Sequence, residues 1–229
     1  MRRHRRSPAA SPAKQQAKPL ELDCLRLTDA VGIFRASAAI TAADPAGRYL
    51  TGRGCIIPPD GSHLRWIDGH RHPSGHVGPA LVALATSATT GEPQTLHRTW
   101  IDATRLGQKA PIEKPRLLFS GLPKAGAVVR LFPDEDTLEG LAIGEGIETC
   151  LAAAQGFTPI WSVLDAGNLA AFQILPGVEA LTIIVDHDPA GLKAAEQCAR
   201  RWHETGREVR GWCPPAKGED AADFLARAA

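Results

Sequence analysis

Asp186 and Asp188 stand where the apolar run LTIIV (181–185) ends and the helix-like pattern PAGLKAA begins. Charged residues are seldom left at the end of a buried strand without a partner. At such a turn an i, i+2 spacing lets two carboxylates converge on one hard cation, and oxygen ligands favour Mg2+. Glu145 takes the matching place at the end of EGLAIGE (139–145), and Asp220 and Asp223 follow a later apolar segment after PPAKGE. Carboxylates that hold Mg2+ neutralise phosphate charge, position an attacking oxygen and stabilise a leaving one, which is phosphoryl-transfer chemistry. For Glu145 or Asp188 alone, the competing role is interaction with the positive end of the following helix, about 0.3–1 kcal/mol each. Capping by itself does not call for a D-x-D spacing. Gly144 and Gly146 flank Glu145 and are expected to let the backbone turn sharply and leave room for a phosphate or metal.

The elements that must position these acids follow a regular rhythm. Strand EGLAIGE, helix GIETCLAAAQG, strand PIWSVL, helix NLAAFQIL, strand ALTIIVD, helix PAGLKAAEQCARRWHETG, strand REVRGWC and helix DAADFLARA make four βα units. Parallel strands need crossover connections, so this alternation predicts a doubly wound parallel sheet with helices on both faces. Ligands of such sheets collect outside the carboxyl ends of the strands, where the acids lie. Pro189 at the first helical position and Gly206 just past the helix end agree with helix punctuation.

Upstream the pattern is less regular. TDAVGIFRASAAI (28–40) and AGRYLTGRG (46–54) read as short helices leading into a Gly- and Pro-rich connector. ALVALATS (80–87) and QTLHRTWI (94–101) read as strands joined by the turn TTGEP, which predicts a hairpin. RLLFSG and AVVRLF add two short strands. The acidic, proline-marked link PDEDTL (133–138) separates the halves. The expected organisation is α/β: a basic arm at 1–20, a smaller α+β N-terminal subdomain at 21–136 and the doubly wound unit at 137–229.

With 229 residues and 44% hydrophobic content the chain can bury a core of its own. Formal net charge is only +1, so polyanion binding must rest on where charges lie. Arg2, Arg3, Arg5, Arg6, Lys14 and Lys18 occupy a stretch without acids among Pro, Ser and Ala. Such a composition is expected to remain a disordered arm, either solvated or touching nucleic acid. No apolar stretch follows the arginines and no membrane-length run exists, so a soluble, cytoplasmic protein is expected. Cys24, Cys55, Cys150, Cys198 and Cys213 are dispersed without a C-x-x-C pair, which argues for free thiols in a reducing compartment and against zinc.

IGEGIET, IIVDHDPAG about forty residues later and KGEDAADFL together resemble the Toprim domain of topoisomerases, primases and related nucleases, over residues 139–229. The resemblance implies that Glu145, Asp186 and Asp188 form the acidic metal site, with Mg2+ or Mn2+ as cofactor. The last acidic motif of such primases reads D-x-N-D. Asp220 and Asp223 keep its acids here, Asp220 as a further metal ligand, while Ala222 replaces the asparagine. Upstream, YLTGRG, LRW, PALVALAT, LHRTWID and KAPIEKPR are similar, in order, to primase-like Toprim proteins of phages, plasmids and integrative elements.

The resemblance implies synthesis of RNA primers on single-stranded DNA from nucleoside triphosphates. Arg48, Arg53, His97, Arg98, Lys109, Lys114 and Arg116 would then form a groove for template or triphosphate, and Lys193 would approach a phosphate from the helix after Asp188. Complete primases of this group commonly carry an amino-terminal zinc module and work with a helicase. The 229 residues encode no such module, so template recognition is expected from a partner. Two alternatives stay open: a Toprim nuclease using the same acids to activate water, and a non-catalytic accessory that binds nucleic acid. A topoisomerase acting alone is not expected, because the single tyrosine, Tyr49, precedes the acidic motifs. The tryptophans are expected to be mainly packing residues, and alternation turns His187 away from the metal.

Overall fold

The computed structural model of the protein describes residues 18–228. Apolar runs rich in β-branched residues form a nine-stranded sheet: β1 (Leu64–Arg71), β2 (Val77–Ser87), β3 (Pro93–Trp100), β4 (Arg116–Leu118), β5 (Ala127–Arg130), β6 (Gly140–Gly144), β7 (Ile160–Ser162), β8 (Ala180–Ile184) and β9 (Glu208–Trp212). The strand order is β4-β3-β2-β5-β7-β6-β8-β9, with β1 paired to β2 beside β5. Strands β6, β7, β8 and β9 are mutually parallel where they pair, and the preceding five pair antiparallel. The junction is the antiparallel pair β5–β7, with Val129 opposite Ser162 and Arg130 opposite Trp161. The main-chain ladder therefore crosses the PDEDTL link without interruption, and one sheet carries both halves of the chain.

Helices α1 (Lys18–Ala36), α2 (Pro45–Thr51), α3 (Ile147–Ala153), α4 (Ala166–Ala171), α5 (Pro189–His203) and α6 (Ala221–Ala228) cover this sheet. Paired residues share a face, so the register assigns each helix its side. Val82 and Leu84 of β2 pack under Ala30 and Phe34 of α1. Opposite Thr86 on that same side lies Val128 of β5, which joins the cluster built by Leu169 and Phe172 near α4 and by Cys198 and Trp202 of α5. The alternate residues Ala83, Ala85, Val129, Ala142 and Ile184 meet Tyr49 and Leu50 of α2, Leu151 of α3 and Ala221 of α6. Thus α1, α4 and α5 cover one face, and α2, α3 and α6 the other. This is the doubly wound arrangement expected, extended by an antiparallel wing.

The hairpin β2–β3 is present, and the four βα units form as read. Strand β1 interrupts what the sequence presented as a connector. Its segment LRWIDGHR holds Asp-Gly and alternates weakly; what makes it a strand is pairing to the buried β2, with a register shift between Ile67 and His70. Helix α1 begins at Lys18, ten residues before the predicted start. Most of the basic arm, including Arg2, Arg3, Arg5, Arg6 and Lys14, lies outside the described residues. Among those described, no helix is long and apolar enough to cross a membrane. All five cysteines are free thiols. Trp100, Trp161 and Trp202 are buried.

Candidate active site

Strand β6 ends at Gly144, aligned with Ser162 of β7 on one side and Ile184 of β8 on the other. Three neighbouring parallel strands therefore release their chains at one level of the sheet. Glu145 is the first residue beyond β6, and Asp186 lies two beyond β8. Both are half-buried, and Oε1 of Glu145 and Oδ1 of Asp186 are buried without a hydrogen-bond partner among the described residues. A buried polar oxygen left unpaired costs about 1–3 kcal/mol, and more when charged. The carboxyls respond by holding their protons. Burial, then Asp186, Asp188 and Asp165, push Glu145 up to about 7. Burial, then Asp220, Asp188 and Asp223, push Asp186 up to about 6.

Asp188 is exposed and caps α5, accepting from the Gly191 amide at 2.8 Å. Capping and the acidic site are therefore not exclusive: one Asp188 oxygen starts the helix while the carboxylate adds to the field on Glu145 and Asp186. Asp220 accepts from Thr149 Oγ1 at 3.2 Å and from the Asp223 amide at 2.8 Å, which ties α6 to α3 and brings Asp220 within electrostatic reach of Asp186. Asp223 is exposed. Among the described residues no group of three Asp, Glu, His or Cys side chains is placed to hold a metal ion by itself. Mg2+ rarely uses one; it takes one or two carboxylates and fills the octahedron with water and substrate phosphate. Two carboxylate oxygens without partners among the described residues, at the ends of adjacent strands, fit that mode of binding.

At Gly144 and Gly146 the space a side chain would need is taken by protein neighbours. A Cβ on Gly144 would stand 2.9 Å from Cys150 Sγ and 3.3 Å from Ile184 Cβ, and one on Gly146 would stand 2.9 Å from Thr149 Oγ1. The glycine that matters to the acids is Gly191. A Cβ there would lie 2.5 Å from the Asp186 carbonyl oxygen and 3.2 Å from Glu145 Oε1. Gly191→Ala is expected to lower stability by about 1–3 kcal/mol through this overlap, measured by urea denaturation. His187 turns away as expected: its Nδ1 lies 2.8 Å from the Pro214 carbonyl oxygen.

Asp165, which sequence reading did not single out, follows β7. It caps α4 through the Asn168 amide at 3.0 Å and pairs with Lys124 at 2.6 Å. Its only sequence signal was the N-cap position before a short helix.

The basic residues divide. Tyr49 of α2 donates to Glu148 Oε1 at 2.8 Å, and Lys109 Nζ stands 3.6 Å from the same oxygen. Glu148, buried at 5% exposure in the first turn of α3, is a second residue that sequence reading missed. Burial opposes its ionisation, yet Lys109 and the Tyr49 hydroxyl hold it down to about 2. Arg53 sits within electrostatic reach of Tyr49, Glu148 and Asp220, and its buried Nε has no partner among the described residues. His97 and Arg116 complete this side: burial first, then Arg116, Arg98 and Lys109, outweigh Glu148 and drive His97 down to about 4. Arg53 and Lys109 thus come together around Glu148, with Arg53 also within electrostatic reach of Asp220.

Arg98, Lys114 and Lys193 are not gathered with them. Arg98 pairs across β2 with Val82, which places it on the α1 face of the sheet. There its guanidinium lies over Trp100 and Phe119, at 5.3 and 5.1 Å from the ring centroids, and donates to the Leu118 carbonyl. Alternation put neighbours His97 and Arg98 on opposite faces. Arg98→Ala is expected to cost about 2 kcal/mol through lost packing and leave nucleotide affinity within about twofold, checked by denaturation and titration. Lys114 is 74% exposed and 3.8 Å from Glu113. Lys193 is exposed on α5. Arg48 is exposed and reaches the Ala43 carbonyl at 3.4 Å.

Comparison with known proteins agrees with this geometry. Residues 140–229 match the family model described as Toprim domain, and residues 26–131 match one described as a domain of unknown function (DUF7146). No curated protein sequence matches the chain. Among solved structures, the chain is similar to the zinc-binding and RNA polymerase domains of the Aquifex aeolicus primase. That match has a TM-score of 0.54 at 14% identity and covers 93% of this chain and 59% of the other. It is also similar to a DNA primase domain from Pseudomonas aeruginosa, with a TM-score of 0.52 at 18% identity, covering 90% of this chain and 74% of that one. The chain therefore spans under two thirds of the Aquifex chain. Residues 140–229 thus match the Toprim domain model, on a chain whose fold is similar to that of these bacterial primase structures.

Proposed function

We propose that the protein is a primase-like Toprim nucleotidyltransferase that joins ribonucleotides into RNA primers on single-stranded DNA. The observation that carries this reading is the pair Glu145 and Asp186 on adjacent strand ends, each with a buried oxygen lacking a protein partner. Asp186, Asp188 and Glu145 would hold Mg2+ or Mn2+, with Asp220 adding its charge from α6. A bound divalent ion supplies neutralisation of phosphate charge and activation of the attacking hydroxyl. In the reaction the 3′-oxygen of one nucleotide forms a bond to the α-phosphorus of the next, the bond to pyrophosphate breaks, and the hydroxyl proton departs. Glu145, held near neutrality, is suited to share the cation or to take that proton.

Arg53 and Lys109, gathered from the N-terminal part around Glu148, would take the triphosphate: Arg as a planar fork, Lys as a point charge. The template strand would be contacted by the same basic side. Its selection, and any replicative helicase, would come from a partner.

The test is incubation of the protein with labelled single-stranded DNA, ribonucleoside triphosphates and Mg2+. The expected product is short RNA that depends on both the nucleotides and the metal. Shortening of the DNA in a nucleotide-free reaction, with no RNA made, would replace this reading with a metal-dependent nuclease. Neither activity, together with DNA retention, would make the protein an accessory.

A further inference from the structure

Glu148 is a buried acid that the reaction above does not use. Burying a carboxylate costs several kcal/mol unless partners compensate, and nothing about α3 itself demands one. The N-cap of α3 is Gly146 without a side-chain cap bond, so Glu148 is not closing a capping box. Its partners come from far away in the chain. Tyr49, 99 residues distant, donates to Oε1 from α2, and Lys109 approaches the same oxygen from the segment that bridges Ile101. The Cys55 thiol lies 3.3 Å from the Glu148 carbonyl. Three separate segments of the N-terminal part therefore meet one residue of the Toprim domain, three positions along from Glu145 on the same turn into α3.

The two partners differ in freedom. Tyr49 is 1% exposed and fixed. Lys109 keeps 24% side-chain exposure and lies within electrostatic reach of Arg53, which itself is within reach of Glu148 and Asp220. A lysine on a four-carbon stem is otherwise mobile and a weak locator of phosphate. Anchored through a buried carboxylate, it becomes a fixed point charge.

We propose that Glu148 is a positioning residue: with Tyr49 as its brace, it holds Lys109 within reach of Arg53, on the side of Asp220, to receive the triphosphate of the incoming nucleotide. This rests on the nucleotidyltransferase reading for the identity of the ligand. It goes beyond that reading in assigning Glu148 a role that acts only through Lys109, and so a loss confined to nucleotide affinity.

The experiment is a double-mutant cycle on the full chain with Glu148→Gln and Lys109→Met, read by titrating a fluorescent ATP analogue in the presence of Mn2+. Glutamine keeps an acceptor for Tyr49 and the side-chain volume, and circular dichroism melts report on folding. Glu148→Gln is expected to weaken binding of the analogue about tenfold and to have no further effect once Lys109 is Met. In the primer assay it is expected to raise KM by a similar factor with kcat within about threefold. Tyr49→Phe, which keeps the charge but removes the brace, is expected to weaken binding about threefold. Unchanged affinity in Glu148→Gln, or losses that add in full across the cycle, would overturn the assignment. Should the wild-type protein bind the analogue yet make no RNA, the primase reading falls while the cycle still decides the role of Glu148.

Discussion

Asp186→Asn is expected to reduce primer synthesis by about 1,000-fold or more and, at pH 8, to raise the melting temperature. The activity loss follows from removing a charged ligand at the point where phosphate charge must be neutralised. The gain follows from the cost of keeping that charge in place. Asp186 titrates at about 6 because burial, and then Asp220, Asp188 and Asp223, penalise its ionised form. A shift of this size corresponds to at most about 3 kcal/mol, and partial exposure of the carboxylate screens it to about 1 kcal/mol. For a chain of this length that is about 2–4 °C. A carboxyl with a raised folded pKa costs nothing below its unfolded value; the cost grows as pH rises from there and is full above the folded value. The melting difference between variant and wild type should therefore be full at pH 8 and vanish near pH 4. A variant that melts lower at pH 8 would contradict the electrostatic account, and one that keeps full synthesis would remove Asp186 from the reaction.

The second large effect concerns metal affinity. Glu145 titrates at about 7 and Asp186 at about 6 in the absence of a cation, and a divalent ion must displace both protons to use both groups. Ligand protonation then competes with metal, so affinity rises with pH until both carboxyls are ionised. Between pH 5.5 and pH 8, Mn2+ binding is expected to tighten roughly 100-fold if both groups ligate, and roughly fourfold if Asp186 alone does. Electron paramagnetic resonance titrations of Mn2+ with the wild type and with Glu145→Gln distinguish the cases. The variant should retain only the smaller dependence. A wild type whose Mn2+ affinity is flat over this range would show that neither raised carboxyl is a ligand.

Both effects arise because the protein gathers like charges in a half-buried place, which destabilises the metal-free fold. Glu148 is the contrasting case. It is more deeply buried than Glu145, yet Lys109 and Tyr49 hold it ionised. Glu145 and Asp186, beyond the ends of β6 and β8, have buried oxygens without a protein partner among the described residues, whereas Glu148 in the first turn of α3 is paired with Lys109. The first arrangement suits an exchangeable metal and substrate; the second suits permanent structure.

Much of the Toprim half was legible because its signals are local. LTIIVDHDPAG joins an apolar strand to two acids, a proline and a helix within eleven residues, and every unit from β6 to α6 followed the same alternation. The N-terminal part was legible where strands are apolar, in β2 and β3, and not where partners make the strand, in β1. Among basic residues, the sequence groups Arg48, Arg53, His97, Arg98, Lys109, Lys114 and Arg116 in one groove, with Lys193 nearby, and cannot set Arg98 apart from the rest. Alternation along β3 separates Arg98 from His97, but a strand's phase relative to the acids depends on which way the whole sheet is wound. That is not a local property.

The sequence by itself determined which acids end which strands, because hydrophobic periodicity and turn residues act over a few positions and depend little on the rest of the chain. Only the tertiary structure decided which charges are paired. That Asp186 and Glu145 have oxygens without protein partners, that Glu148 is neutralised by a lysine and a tyrosine from the other half, and that Arg98 stacks on the far face all follow from one sheet running through both halves. Charge pairing is a matter of a few ångströms across segments up to about a hundred residues apart, and at that range the energy is set by packing and dielectric environment, which no spacing in the sequence records.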